Sequence, residues 1–431
     1  MRVLVLGAYG FIGAEIVRAL LVEGFEVAGL GRNKALGERL IPEIAWIEGD
    51  LRRMIRAQGW SGALSRVDAI VNAAGALQDS ARDDLEAVHH RAIAACIEAA
   101  EKVGISKFIQ ISALGAAPAA STAFMRTKAA GDAAVRASSL EWTVFKPGFV
   151  IGANTYGGSA LIRMIAAMPL MTPLVAAETR MQTVSIDDVA GAVIVALKGE
   201  APTRRQFDLV EDDAPTLREI VNAFRARMGF APPIMKPDLP RFLRPVAGFI
   251  GDAAGLFGWR SPLRSTSMRV LSEDVVGDGA PRRTVTGRSL KPLAATIRLV
   301  SASAQERSFA RLQLVLPLMI VLLGVFWIAS GAIGLVNLDG ARAHLDGVVA
   351  DPLARLMVIG GSILDIAIGF GVLFRKSSRL AALASIGAAA LYLLAGTIIS
   401  PHLWLDPLGV FMKVIPVMAL ALAVSLLSQE R

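Results

Sequence analysis

RVLVLGAYGFIG, residues 2–13, decides the fold. Arg2–Leu6 is a short apolar run of strand type, and a helical pattern opens at Phe11. Gly7, Gly10 and Gly13 punctuate the join. At these positions glycine permits a tight turn, lets backbone approach a pyrophosphate, and lets the helix pack close to the strand. Residues Gly7, Tyr9, Gly10, Phe11, Ile12 and Gly13 therefore form a candidate phosphate cradle. The start of a helix suits that task, because its unpaired amides and its dipole favour an anion. A glycine-rich turn without a ligand is the competing reading, and the strand before and helix after weigh against it.

The pattern repeats outward from this motif. FEVAGL (25–30), EIAWIE (43–48), VDAIVNAAG (67–75), SKFIQIS (106–112) and EWTVFKPG (141–148) read as strands. Helical patterns fill residues 11–23, 81–103 and 123–137. Apolar strands separated by helices imply an α/β fold with a doubly wound parallel sheet of the Rossmann type. Beyond Ile151, residues 182–198 read as a short strand, an Asp-capped turn and a helix, and 206–210 as another strand. Residues 216–229 form an amphipathic helix in which Thr216 and Glu219 have the spacing of a capping box. Residues 1–230 are thus expected to form an NAD(P)-binding domain with small substrate-side elements.

Charge at the end of the second strand bears on the cofactor. A site for NAD offers Asp or Glu to the ribose 2′-hydroxyl, whereas one for NADP offers arginine to the 2′-phosphate. Here the strand ends in Arg32, with Lys34 nearby, which favours NADP(H) and leaves NAD as the alternative. A plain surface arginine would look the same. Asp50 and Leu51 follow the third strand, where they could meet the adenine. Asn72, Ala73, Ala74 and Gly75 follow the fourth, where small residues let backbone approach the cofactor.

Composition separates the rest of the chain from this domain. The 431 residues are 54% hydrophobic, with a mean hydropathy of +0.53. Residues 1–200 hold twenty Lys/Arg and twenty Asp/Glu, whereas 201–311 hold eighteen against eleven, so most of the net +8 lies there. Residues 231–311 read as a basic amphipathic connector. Within it, Leu243, Val246, Ile250, Ala253 and Phe257 share a helical face, with Arg241, Arg244 and Asp252 off it. That helix fits either a membrane interface or packing on the first domain. The basic charge points to anionic lipid or a solvated surface; no recognition module accompanies it, so nucleic acid is not expected. The lone cysteine, Cys96, excludes an internal disulfide and reads as a small buried side chain. His89, His90, His344 and His402 lack metal-ligand spacing, so no metal is expected. With a strand beginning at Arg2, no signal peptide is expected.

Residues 312–431 contain four apolar stretches: Leu312–Val336, Leu356–Phe374, Leu380–Ser400 and Leu408–Leu427. A membrane span needs about 20 residues, so a four-helix transmembrane bundle is expected, with a buried soluble helical domain as the competing reading. Arg375, Lys376 and Arg379 fill the second loop, and PHLWLDP (401–407) has no Lys or Arg. Positive-inside counting then places both termini and the nucleotide domain in the cytoplasm, on the inner membrane. Asp365 and Lys413 lie inside apolar stretches and are expected to pair, unless Lys413 snorkels to the surface.

The glycine spacing, the NAAG at 72–75, Ser112 ending the fifth strand, Lys128 in the next helix and KPG at 146–148 together resemble the extended or atypical short-chain dehydrogenase/reductases. MRTKAAGDAAVR (125–136) is similar to the branch containing the Rossmann-type accessory subunit of respiratory complex I. From about residue 300 the tail resembles a DoxX-like membrane domain, on its hydropathy and on ERSFARLQLVLPL (306–318). The resemblance implies a catalytic Ser, Tyr and Lys, the last two spaced YxxxK. Ser112 and Lys128 fit as catalytic positions, with Lys128 also holding the nicotinamide ribose and Pro147 lying beside the cofactor. The tyrosine position is Phe124. Tyr156 could substitute only if its loop folds back. Two functions follow. One is a membrane-anchored NADP(H)-binding protein with a structural, sensing or assembly role, whose partners are membrane lipids and a quinone or other apolar molecule. The other is an NAD(P)-dependent oxidoreductase or isomerase acting on a quinone or lipid.

Overall fold

The computed structural model describes residues 1–431 apart from 81–82, 156, 241, 260, 262, 344, 346, 408 and 429–431. Tyr156 as a substitute proton donor, the off-face position of Arg241, the spacing of His344, and the starts of a helix at Ala81 and of a span at Leu408 lie outside the described residues. The chain divides into two compact units, residues 1–250 with 262–307, and residues 251–261 with 308–431.

In the first unit the strands are β1 (Arg2–Leu6), β2 (Glu26–Gly31), β3 (Ala45–Glu48), β4 (Ala69–Asn72), β5 (Lys107–Ile111), β6 (Glu141–Pro147), β7 (Phe149–Ile151), β8 (Thr183–Ser185) and β9 (Arg205–Leu209). Seven form one parallel sheet in the order β3-β2-β1-β4-β5-β6-β9. Successive side chains of a strand face opposite sides, and β1 shows what that requires. Val3 and Val5 join a core with Ile16, Val17 and Leu20 of α1 (Phe11–Val22) and with Val189 and Val193 further along the chain. Leu4 and Leu6 join a second core with Ile93, Ile97, Val135 and Val144. All four strand residues are fully buried. Each such burial contributes about 1.5–3 kcal/mol, and a strand covered on both sides must be apolar throughout.

Further helices are α2 (Lys34–Leu40), α3 (Ala92–Val103), α4 (Ala123–Ala137), α5 (Gly158–Ala166), α6 (Ile186–Leu197) and α7 (Leu217–Arg227), and α8 (Leu243–Leu256) begins in this unit; three shorter ones follow between residues 265 and 296. Two boundaries differ from the sequence reading. The helical stretch expected over 81–103 begins only at Leu85. There the Asp84 carboxylate accepts the Ala87 N–H at 2.8 Å, and a π turn, Ala87–Arg91, leads into α3. At α6 the cap is Ser185, which accepts the Asp187 N–H at 3.2 Å, and not an aspartate. Asp187 and Asp188 lie in its first turn, where the helix dipole favours them. The Thr216–Glu219 capping box is present at α7.

Among the described residues, three helices are long and apolar enough to cross a membrane: Ala304–Val336, Asp351–Leu373 and Ser378–Ile399. The fourth apolar stretch forms a helix only over Val414–Leu427, 14 residues. At 1.5 Å per residue that is about 21 Å, short of a hydrocarbon core of about 30 Å. Pro416 explains the late start, since proline is tolerated in the first turn of a helix but not in its interior.

Glycines let the first two long helices meet closely. A Cβ at Gly331 would sit 2.3 Å from the Ser362 carbonyl oxygen, and one at Gly369 2.7 Å from that of Gly324. Asp365 does not pair with Lys413. Its carboxylate accepts the Tyr392 hydroxyl at 2.8 Å and the Ser330 hydroxyl at 3.0 Å. Lys413 is exposed, just before the short fourth helix. Asp365 is instead satisfied by hydroxyls from the two long helices on either side of it in sequence.

Candidate nucleotide site

At β1 the strand order turns back, with β2 on one side and β4 on the other, and the crevice beyond their carboxyl ends is where open α/β sheets bind ligands. The glycine-rich turn sits there. Gly7 has φ +74°, and its N–H donates to the Leu30 carbonyl at 3.0 Å. A Cβ at Gly13 would lie 2.2 Å from the Gly7 oxygen, so only glycine lets α1 start this close to β1. Gly10 is the N-cap of α1 and offers no side-chain cap. The first amides of α1 at Phe11, Ile12 and Gly13 thus point at the crevice uncapped, an arrangement that fits a pyrophosphate.

Tyr9 bridges this turn to β2. Its ring packs on Trp46, with centroids 5.6 Å apart, and its hydroxyl accepts the Asn33 N–H at 3.2 Å. Arg32 pairs with Asp83 at 2.8 Å, and Lys34 with Glu38 at 3.7 Å. Arg52 donates to Asp50 through Nη2 at 2.6 Å and Nε at 3.0 Å. These hydrogen bonds hold the Asp50 carboxyl below the usual carboxylate range, and the Arg32 charge adds to the effect. Two guanidinium groups thus act on Asp50 at the ends of β2 and β3, although the sequence reading singled out only Arg32. Leu51 turns its side chain into the core, leaving backbone for any adenine contact.

Beyond β4, Asn72 donates to Gln110 at 2.8 Å and accepts the Ala74 N–H at 3.1 Å, which fixes the small-residue turn Ala73–Gly75. A Cβ at Gly75 would come within 3.4 Å of His89 Nε2 and 3.5 Å of Lys128 Nζ. His89, on the π turn, is the residue that composition concealed. Its Nε2 accepts the Ala76 N–H at 3.1 Å, so Nδ1 carries the proton and donates to Thr127 Oγ1 at 2.8 Å. The edge of one ring meets the other at Phe124, with centroids 5.5 Å apart. Burial, reinforced by the nearby Lys128 charge, holds the His89 pKa well below 6.5.

Lys128 is buried and donates to the Ile111 carbonyl at 2.9 Å. Burial lowers its pKa to about 8, against the opposing pull of Asp132. Asp132, one turn further along α4, accepts the Ser112 hydroxyl at 2.5 Å and the Gln110 amide at 3.4 Å. Pro147 is buried at the end of β6, where its carbonyl accepts the Leu114 N–H at 3.2 Å. Ser112 and Lys128 therefore meet at one end of β5, but the serine hydroxyl is committed to Asp132 and Phe124 has no hydroxyl to give. His89, Thr127, Asp132, Gln110 and Arg52 were not legible beforehand, since each acts through a partner distant in sequence or through a bond its residue type does not announce. Among the described residues no group of side chains has the makings of a metal site.

The neutral state of His89 has a measurable consequence. Its folded pKa lies below the unfolded value of about 6.5, so its contribution to stability is complete above that pH and is lost as pH falls below it. Between the two pKa values the slope approaches about 1.4 kcal/mol per pH unit. The Tm of the wild type in mild detergent should therefore fall more steeply from pH 7 to pH 5 than that of His89→Gln. Parallel curves would rule out this role.

Residues 7–200 match the NAD(P)H-binding family, and residues 324–422 match the DoxX-like family. Over 228 residues the chain is 27% identical to the mitochondrial NADH dehydrogenase [ubiquinone] 1 alpha subcomplex subunit 9 of Arabidopsis thaliana, covering 50% of this chain and 55% of that one. It therefore spans about half the length of that relative. Ceramide reductase of Caulobacter vibrioides is 24% identical over 255 residues, 58% of this chain and 77% of that one. Among solved structures, the UDP-glucose 4-epimerase of Thermus thermophilus in complex with NAD superposes with a TM-score of 0.53 at 21% identity, covering 72% of this chain and 99% of that one, a likeness of fold alone. The chain joins an NAD(P)H-binding Rossmann domain of the atypical short-chain dehydrogenase/reductase type, related to a complex I subunit, to a C-terminal DoxX-like membrane domain.

Proposed function

We propose that this membrane protein holds NADP(H) as a bound ligand, for a structural, sensing or assembly role linked to membrane or quinone metabolism. Phe124 carries this reading. It stands four residues before Lys128 on α4, where i and i+4 share a face. Reduction of a carbonyl needs a proton donor within hydrogen-bond reach of the developing alkoxide, and a phenyl ring has none. When bound, the nucleotide supplies a hydride donor or acceptor. The uncapped amides of α1 would hold its pyrophosphate, Arg32 and Arg52 its 2′-phosphate, and Lys128 its nicotinamide ribose. The complex I relative supports the binding role. The arginine-rich second loop supports an inner-membrane placement with the nucleotide domain in the cytoplasm.

A second reading is an NAD(P)-dependent oxidoreductase or isomerase acting on a quinone or a lipid. The lowered pKa of the Lys128 ammonium favours it, since a group poised near 8 can exchange protons, and so does the kinship with a ceramide reductase. NADPH affinity and turnover with short-chain quinones and lipid ketones, measured in wild type, Phe124→Tyr and Lys128→Ala, separate the two. The binding reading expects tight NADPH in wild type and Phe124→Tyr, with wild-type turnover lower by the factor of about 10²–10⁴ that general acid catalysis supplies. Robust wild-type turnover that vanishes in Lys128→Ala would establish the enzyme.

The nucleotide preference is tested separately. Losing a charge-assisted bond to a phosphate costs about 1.5–3 kcal/mol, so Arg32→Glu should weaken NADPH at least tenfold while sparing NADH. Wild-type protein that binds NADH more tightly than NADPH in titration would reverse the assignment.

A further inference from the structure

Helix α8 inverts the usual layout of a packed amphipathic helix. Its inward side is small: a Cβ at Gly248 would sit 3.0 Å from Ser265 Cα, so backbone meets backbone there. Its large apolar side chains point the other way. Phe242 just before the helix is 70% exposed, and Val246, Phe249 and Ile250 are 54%, 73% and 59% exposed. Offsets of four, seven and eight residues place these four on one stripe of a helix. The approach to α8 is apolar and exposed as well. The Ile234 N–H donates to the Leu170 carbonyl at 2.9 Å, and both side chains, with Met235, face solvent. A helix whose large apolar residues were meant for a protein core would have its glycines outside and its phenylalanines inside.

We infer that this stripe lies in the headgroup region of an anionic lipid bilayer. Three observations select that occupant. The stripe is flanked by cations, residues 236–269 containing six Lys/Arg and only two Asp/Glu. An apolar stripe with basic flanks is attracted both by acyl chains and by anionic headgroups. The same chain also carries helices long and apolar enough to cross a membrane, beginning at Ala304, so a bilayer is within the tether of this segment. A second copy of the chain fits worse, because pairing two stripes would bring two like-charged stretches together. The inference is independent of which nucleotide is bound and of whether catalysis occurs.

The test uses the full chain with a single accessible label. Cys96 is buried, so an environment-sensitive fluorophore on Phe249→Cys reports from α8, and one on the exposed Lys102→Cys serves as the aqueous control. In nanodiscs of phosphatidylcholine with one third phosphatidylglycerol, the label at 249 should shift to the blue. It should be quenched several-fold more by shallow nitroxide lipids than by aqueous iodide, with the reverse order at 102. Pure phosphatidylcholine should reduce the lipid quenching at 249 several-fold. A stability measurement on the Phe249→Asp, Ile250→Asp double variant guards against a folding artefact, since exposed positions should leave Tm unchanged while lipid quenching from a label at Val246→Cys is lost. Equal iodide quenching at 249 and 102 would overturn the proposal. So would shielding at 249 accompanied by energy transfer between copies, which would assign the stripe to a second chain.

Discussion

Gly13→Ala should lose NADPH binding by at least about a hundredfold, or about 2.7 kcal/mol, and should lower Tm as well. The added Cβ would fall 2.2 Å from the Gly7 oxygen and 2.9 Å from its carbonyl carbon, both backbone atoms that no rotamer change can remove. Overpacking ordinarily costs about 1–3 kcal/mol. Here relief requires the start of α1 to retreat from β1, which carries away the amides that face the pyrophosphate. Gly10→Ala makes the informative comparison. Its Cβ would meet only the Gly7 oxygen, at 3.0 Å. That variant should keep nearly the wild-type Tm and still lose affinity, because the methyl group stands where phosphate must approach. Titration and thermal unfolding of both variants check this. Wild-type affinity in Gly13→Ala would mean that the turn does not hold the nucleotide.

Asp132→Ala should destabilise the nucleotide domain by about 3 kcal/mol, the scale of removing one member of a buried charged network. The side chain is fully buried. Its removal leaves the Ser112 hydroxyl without its acceptor and takes away the negative charge that opposes the lowering of the Lys128 pKa. Asp132→Asn retains an acceptor for Ser112 but not the charge, so its loss should be intermediate. Denaturant unfolding in detergent, followed through the signal of the first unit, measures both. Equal stability of Asp132→Ala and wild type would show that Ser112 and Gln110 find other partners at no cost.

The sheet was legible because β1, β2, β4, β5 and β6 are buried on both faces, and two-sided burial leaves apolar runs that need no partner to be read; the edge strand β3 is buried mainly at Trp46. The glycine-rich turn was legible because Gly7 and Gly13 answer to local geometry, a positive φ and a backbone contact six residues away. The polar end of the site, around β5 and α4, was not. His89 and Thr127 are 38 residues apart, and so are Asn72 and Gln110. Helical periodicity says which face is inward, but not which polar atoms meet there. The same limit misled the reading of Asp365, for which charge alone suggested Lys413 while the hydroxyls of Tyr392 and Ser330 do the work. The fourth apolar stretch was long enough in composition, yet Pro416 sets where its helix can begin.

The sheet is closed by β9, which ends at Leu209, whereas the first long apolar helix begins at Ala304, 95 residues further on. At about 5–20 residues per second, synthesis takes about 5–20 s to cover that distance. Every strand of the nucleotide domain has therefore been made before the ribosome reaches the first segment that calls for a translocon. The strands of that domain can thus pair while the chain is still nascent, before the first long apolar helix has been made.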